Sequence, residues 1–324
     1  MAVLIYTENW DGKFKNSSFE LVSFGTKLAE LLGTSSIAVS IGEVSEDELL
    51  KIGSYGAKKI IQIKDDKLNS LDTKAYALSL AQVAVKESAQ VVLLSNNNTG
   101  KGLAPRLSVK LKAGLVSAVT SLPSNLKPFT IRKKVFTGKA YSDLIIKTDV
   151  RILTLAQNSF EIKETENTAG IESFSPDLSG VEINTNVTET NKQTGEIILT
   201  DAELVVSGGR GMKSGDKWEP IEELAKLLGA ATACSRPVSD EGWRPHKEHT
   251  GQTGKIIAPN LYIAAGISGA IQHLAGISSS KCIVAINTDP DAPIFEAADY
   301  GIIGDASKVL PEIIAAVKNY KAEN

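Results

Sequence analysis

Two apolar periods alternate along the first hundred residues. Short, near-continuous runs, VLIYTE (3–8), SIAVSIG (36–42), KIIQIKD (59–65) and VVLLSNN (91–97), read as strands buried on both faces. Between and after them, FELVSFGTKLAELLG (19–33), TKAYALSLAQVAVKES (73–88) and KGLAPRLSVKLKA (101–113) space their apolar residues as helices do. Apolar strands separated by amphipathic helices predict a parallel sheet covered on both sides. The pattern then changes: LVSAVTSLP, TIRKKVFTGKAYSDLIIKT and DVRILTLAQNSF read as strands with no helix between them, which predicts an antiparallel edge. Residues 158–200 are polar and rich in Thr, Asn, Glu and Ser, and read as a linker holding a strand or two. A second α/β set runs from AELVVSGGRG (202–211) through the helix PIEELAKLLGA (220–230), strand-like ATACS, and the strands LYIAAG and CIVAIN. It closes with YGIIGD and a last helix over 307–320. The expected fold is therefore α/β, with two α/β domains, each a mostly parallel sheet flanked by helices. The first spans 1–200, with the polar linker at about 158–200, and the second, doubly wound, spans 201–324.

Composition narrows the class. The chain has 324 residues, enough for two ordinary domains, with 42% apolar and 23% charged residues. A net charge of −3 argues against a nucleic-acid binder, which carries a basic excess or a basic face. No apolar run approaches the length of a membrane span, so membrane insertion is not expected. The segment MAVLIYTENWDG enters a strand directly, without a basic leader or a cleavage-like site. The two cysteines, Cys234 and Cys282, each sit in an apolar stretch, as reduced and packed thiols do. A cytoplasmic setting is expected, in preference to a mature mitochondrial matrix form.

Ligands of open α/β sheets bind beyond the carboxyl ends of the strands. In the second domain those ends carry Gly-Arg-Gly (209–211), Ser235-Arg236-Pro237, TGQTGK (250–255), Ser268-Gly269 with Gln272 and His273, Asn287 and Asp305. Glycines, hydroxyls, amides, two arginines, a histidine and an aspartate thus converge, as a large anionic cofactor such as a dinucleotide requires. Each element alone has a plainer reading. Gly-Arg-Gly fits a flexible turn, Arg236 a surface ion pair, His273 a satisfied core histidine, Asp305 a cap for the last helix, and Asn287 a turn residue. His246 and His249, in RPHKEHT, have metal-like spacing, but no cysteine or carboxylate set completes four ligands, and a solvated loop is expected there. The G-x-G-x-x-G fingerprint, the serine-nucleophile elbow and the Walker loop are absent. No carboxylate or Cys/His pair stands out for acid–base or nucleophilic work. The site reads as one that holds and tunes a cofactor, with no catalytic residue and no metal.

Three stretches, SGGRGMKSGDKW, SRPVSDEGWRPHKEHTGQTGKIIAPNLYIAAGISGAIQHLAGI and KCIVAINTDPDAPIFEAADYGIIGD, closely resemble the alpha subunit of electron-transfer flavoprotein. The resemblance is strong over about 203–320 and looser in the N-terminal half, where it rests on the α/β order and the FTGKA hairpin. It implies a heterodimer with a beta subunit, which holds AMP in some members, and a non-covalent FAD in the second domain of this chain. It also implies electron carriage from flavin dehydrogenases, typically of acyl-CoA type, to a membrane quinone oxidoreductase. Two alternatives stay open. One is the alpha subunit of an NADH-oxidising bifurcating flavoprotein with a second flavin in the beta subunit. The other is a nucleotide-binding module without redox function.

Carried over residue by residue, the resemblance puts Arg210 near the phosphate and sugar region, with Ser235 and Arg236 at the isoalloxazine. Gln252 and Thr253, following Thr250 and Gly251, would bond the N5/C4 side. Ser268, Gly269, Ala270, Ile271 and Gln272 would present a helix start to the pyrophosphate, and His273 would face the O2/N1 edge. Asn287 and Asp305 would hold the adenosine end, with Ala306 beside it. A reduced flavin carries negative charge around N1 and O2, so a cation there favours reduction and raises the potential. Arg236 is charged at any working pH, whereas His273 acts best when protonated. Three departures from the family pattern stand out: Pro237 after Arg236, Cys234 at a usually small position, and HKEHT before GQTG.

Overall fold

The apolar runs and helical stripes form the elements their periods predict, with ends displaced by a few residues. The computed structural model describes residues 1–136, 138, 140–183, 185–190 and 197–323. Thr137 and Lys139 of the FTGKA hairpin, and Asn184 and 191–196 of the expected linker, lie outside the described residues. Two compact units are present: 1–135 with 139–190, and 136–138 with 191–324.

In the first unit, β1 (Ala2–Tyr6) leads through a small hairpin, β2 (Asn9–Trp10) and β3 (Lys13–Phe14), to α1 (Asn16–Leu32). Then follow β4 (Ser35–Ile41), α2 (Glu46–Gly53), β5 (Lys59–Ile63), α3 (Thr73–Lys86), β6 (Ala89–Ser95) and α4 (Asn98–Leu111). Side-chain caps start three of these helices: Ser45 accepts from Glu48, Asp72 from Lys74 and Ala75, and Asn97 from Gly100. The chain continues with β7 (Gly114–Val119), β8 (Asn125–Leu126), β9 (Phe129–Val135), β10 (Ala140–Ile145), β11 (Arg151–Leu155) and β12 (Gly170–Ser173). The sheet order is β10-β9-β7-β11-β6-β1-β4-β5-β12, with β8 beside β9, and two apolar clusters cover its faces.

The expected antiparallel edge is real only in part. β9 and β10 pair antiparallel at one margin, but β11 lies between β6 and β7 and is parallel to both. Four of its five residues are buried, as a central parallel strand requires. A hairpin, in place of a helix, makes the crossover, so the helix-counting pattern could not reveal it. The polar stretch after 158 also departs from a free linker. Glu20, buried, accepts from the backbone N–H groups of Asn158, Ser159 and Phe160 at 2.7–3.0 Å. Phe160 packs edge-on against Phe24, and β12 pairs with β5 as the outermost strand. Its polar residues are tied to the first unit by backbone hydrogen bonds, which composition does not register.

The second unit comprises β13 (Leu204–Gly208), α5 (Glu219–Leu228), β14 (Ala231–Cys234), α6 (Arg236–Asp240), β15 (Leu261–Ala265), α7 (Ile271–Ile277), β16 (Cys282–Asn287), α8 (Ile294–Ala297), β17 (Tyr300–Ile303) and α9 (Ala306–Glu323). All five strands are parallel, in the order β14-β13-β15-β16-β17. Alternate strand residues feed two cores. Val206 and Ile263 pack with α5 and α9, while Val205, Tyr262 and Ala264 pack with α7 and α8. This is a doubly wound sheet. Its first strand sits between the second and third, so the order reverses there and a crevice opens beyond the carboxyl ends of β13 and β15.

A candidate cofactor cavity at the strand-order reversal

The loops leaving β13 and β15 are drawn together by glycine. Gly211 N–H donates to the Gly266 carbonyl at 2.9 Å. A Cβ on Gly209 would stand 2.2 Å from that oxygen, and one on Gly211 would meet the Gly266 Cα at 2.7 Å. Gly266 itself has φ +65. Gly269, at φ +86, has the Ile294 backbone where a Cβ would be, at 2.3 Å. Glycines 266 and 269 are thus required by loop–loop packing as well as by backbone shape, a reason nearer to hand than the expected approach of a diphosphate.

The next wall is the segment 248–255. Thr250 N–H donates to the Cys234 carbonyl at 3.0 Å, extending the sheet beyond β14, and Lys255 N–H returns to the His249 carbonyl at 2.9 Å. Gln252 N–H then donates to the Gln272 carbonyl at 2.7 Å, and Gly276 lets α7 approach within 2.5 Å of where its Cβ would meet Gly251. On the far side, Asn287 bridges two loops. Its Nδ2 donates to the Ile267 carbonyl at 2.9 Å, and its Oδ1 accepts from Asp289 N–H at 3.0 Å.

These walls enclose a cavity of about 500 Å³, within the range of small-molecule and cofactor sites. Of the residues expected at a cofactor, it is lined by Arg210, Ser235, Arg236, Thr250, Gly251 and Thr253 from the first three walls. Ser268, Ala270, Gln272, His273 and Asn287 line the remainder. Gln252, Gly269, Ile271, Asp305 and Ala306 do not line it. Gln252 contributes its backbone tie, Gly269 the loop contact, and Ala306 the core beside α9. Ile271 opens α7 and is 71% exposed. Asp305 caps α9, accepting from Ser307 N–H at 3.0 Å, and pairs with Lys213 at 2.7 Å. The Lys213 ammonium and the two Ser307 donors hold its carboxyl well below the usual range. α7 begins at Ile271, so Ser268, Gly269 and Ala270 form the approach to the helix and not its first turn.

Electrostatically the cavity is cationic at its rim and neutral at its depth. Arg236 is 62% exposed and loosely paired with Asp240 at 3.3 Å, and Arg210 is exposed. His273 is 6% exposed, and its Nε2 lies 2.9 Å from the Tyr262 hydroxyl. Burial pushes its pKa down to about 4, against a small upward pull from the Thr250 backbone, so the ring is neutral at pH 7. Without added negative charge in the cavity the resting His273 is therefore neutral. Desolvation disfavours the charge, and the Tyr262 hydroxyl satisfies Nε2 of the neutral ring. Cys234, behind the wall, has its thiol pushed up to about 12 by burial and by Glu248, and is unreactive.

The solvated loop expected for His246 and His249 holds for His246 only. His249 is 3% exposed and lines the cavity. The i,i+3 spacing drew attention to metal binding. The Cys234 bridge, invisible in sequence, turns one ring inward. Among the described residues no set of three or more His, Cys, Asp or Glu side chains could hold a metal ion. Asp240, Pro237 and Ile267 also line the cavity.

The chemistry of this wall fits a flavin dinucleotide. Nδ1 of His249 is buried and finds no hydrogen-bond partner among the described residues, which is unusual for a buried polar atom. Two permanent cations, Arg210 and Arg236, stand at the rim, where an anionic group would meet them.

Comparison with known proteins points to one family. A profile described as the electron transfer flavoprotein FAD-binding domain matches residues 198–278, and one described as the electron transfer flavoprotein domain matches 3–179. Among curated relatives, the electron transfer flavoprotein subunit alpha of Bacillus subtilis is 37% identical over 95% of each chain. That of Thermoanaerobacterium thermosaccharolyticum is 35% identical over 98% of each. The acryloyl-CoA reductase electron transfer subunit beta of Anaerotignum propionicum is 33% identical over 98% of this chain and 96% of its own.

Proposed function

The chain belongs to the family of electron transfer flavoprotein alpha subunits, and from that premise we propose that it is the FAD-holding subunit of a heterodimeric electron carrier. It pairs with a beta subunit, receives electrons from flavin dehydrogenases of acyl-CoA type, and delivers them to a quinone oxidoreductase. The observation that carries this reading is the cavity at the reversal of strand order. It joins two arginines, two buried imidazoles and five loop ends in a domain matched to FAD binding. The acryloyl-CoA name of one relative supports an acyl-CoA partner class.

When bound, FAD supplies one- and two-electron chemistry; the chain's part is to hold and bias it. Arg236, exposed at the cavity rim with only a 3.3 Å pairing to Asp240, can turn its guanidinium into the cavity and favour the reduced, negatively charged ring. Neutral His273, fixed by Tyr262, presents Nδ1 as a hydrogen-bonding group of set orientation. The 250–255 loop, Ser268 and Asn287 supply further polar groups around the same space. No side chain in this reading performs covalent chemistry, which fits a carrier.

Co-expression with a beta subunit of the family tests the proposal. A yellow complex holding FAD in this chain and reduced by an acyl-CoA dehydrogenase with its substrate is the expected result. A colourless complex that gains no absorbance with added FAD would leave a nucleotide-binding module without redox function. Two flavins with bleaching by NADH would replace the simple carrier with a bifurcating complex.

A further inference from the structure

The cavity wall carries one titratable side chain for which the family resemblance supplies no role. His249 stands immediately before the GQTG loop, in the HKEHT stretch that departs from the family pattern. Its backbone is fixed on both sides: His249 N–H donates to the His246 carbonyl at 3.1 Å, and its own carbonyl accepts from Lys255 N–H at 2.9 Å. The parallel bridge to Cys234 holds it against β14. The GQTG loop wraps the ring closely. A Cβ on Gly254 would lie 2.7 Å from Nδ1, and one on Gly251 would lie 3.5 Å from Nε2. The ring is almost fully enclosed, lines the cavity, and leaves Nδ1 without a partner among the described residues.

We infer that His249 is a proton-accepting contact of the held flavin, taking a proton from solvent when negative charge enters the cavity and returning it when that charge leaves. The inference rests on the reading of the cavity as the FAD site. Its balance is simple. One N–H bond forms on the imidazole as one O–H bond of hydronium or a buffer acid breaks, leaving water or the buffer base, and the electron comes from the reduced flavin of the donor dehydrogenase.

The groups facing the ring decide why His249, and not His273, has this part. From its own segment comes His246, with ring centroids 5.4 Å apart. From α6 come Arg236 and Asp240, from α7 His273, and from β14 the neutral Cys234 thiol. Burial, then His246 and Arg236, lower the His249 pKa, and Asp240 opposes them. Burial and these cations thus disfavour the charged ring, and an added negative charge works directly against them. His273 is worse placed, because Tyr262 already engages its Nε2. His249 also has the exposed His246 and Asp240 near it.

The test uses the FAD-loaded heterodimer, with midpoint potentials measured from pH 5.5 to 8.5 for the parent, His249→Gln, His249→Asn and His273→Gln. One coupled proton changes the reduction equilibrium tenfold per pH unit, which is 59 mV for one electron. The parent and His273→Gln are expected to show this His249 component, and both His249 variants to lose it. A second readout needs no variant. Ring ¹⁵N resonances of His249 are expected to report a neutral imidazole at pH 7 in the oxidised complex and a protonated one after reduction. FAD bound normally, with the pH slope unchanged in both His249 variants or the ring still neutral after reduction, would overturn this inference alone. A parent complex that takes up no FAD in a fluorescence titration would overturn it together with the reading beneath it.

Discussion

His273 and Arg236 show how two side chains given similar duties by sequence acquire different physics in the fold. His273 is enclosed, neutral and fixed by a 2.9 Å bond to the Tyr262 hydroxyl, which is itself fully buried. Removing that hydroxyl leaves a buried imidazole nitrogen unsatisfied, at a cost of about 1–3 kcal/mol. Tyr262→Phe is therefore expected to destabilise the protein by that amount in urea titrations, with coupling between Tyr262 and His273 visible as non-additivity when His273→Gln is added. Arg236 is the opposite case: exposed, with a 3.3 Å pairing to Asp240 of little energetic weight. Its truncation should leave stability nearly unchanged and act on the cofactor. A charged hydrogen bond contributes about 1.5–3 kcal/mol, so Arg236→Ala should weaken FAD binding by roughly 10- to 100-fold and lower the flavin potential. Fluorescence titration and spectroelectrochemistry measure both, and an unchanged midpoint would remove Arg236 from the tuning role.

At the scale of elements, glycine placement separates a turn requirement from a site requirement. Gly229 closes α5 with φ +66 and has nothing within 4 Å of a built Cβ, so Gly229→Ala should cost only the left-handed penalty of about 1–2 kcal/mol. Gly209 has an ordinary φ of −111, yet its Cβ would lie 2.2 Å from the Gly266 carbonyl oxygen. Gly209→Ala must therefore separate the loops after β13 and β15 and open the cavity floor. The expected result is a larger loss of FAD affinity than of stability, the reverse of Gly229→Ala. Retained affinity in the Gly209 variant would mean that the floor adapts. The same contrast explains what the sequence made legible. Strand-end glycines, Arg210, Arg236, His273 and Asn287 were readable because a doubly wound sheet places its strand ends together. The inward turn of His249 was not, since it depends on a backbone bridge between residues 15 apart. The parallel β11 was hidden for a related reason, its partners being chosen by a hairpin that replaces the usual crossover helix.

Across the whole molecule, the two units carry acid-sensitive groups of opposite kinds, so acid should affect them in different pH windows. In the first unit, carboxylates are held ionised. Asp72 is kept below its ordinary range by the Ala75 N–H at the start of α3, with the Thr185 hydroxyl adding to it. Glu48 is kept low, against its burial, by Lys51, the Phe14 N–H and Lys13. A depressed carboxylate contributes stability that is complete above its unfolded pKa near 4 and is lost as pH falls below that. In the second unit the sensitive groups are the buried imidazoles. His273, at about 4 in the fold against 6.5 unfolded, contributes stability that is complete above pH 6.5 and is lost as pH falls toward 4. His249 is displaced in the same direction. Between pH 7 and pH 5 the carboxylates are unaffected, whereas the His273 contribution falls by about 2 kcal/mol, at 1.36 kcal/mol per pH unit below 6.5. The second unit should therefore weaken first on mild acidification. Urea titrations at pH 7 and pH 5 read this directly, with fluorescence from the buried Trp218 reporting the second unit. His273→Gln should abolish most of the difference between the two pH values, because an amide has no proton to gain there. An equal loss in parent and variant would place the acid sensitivity elsewhere in that unit.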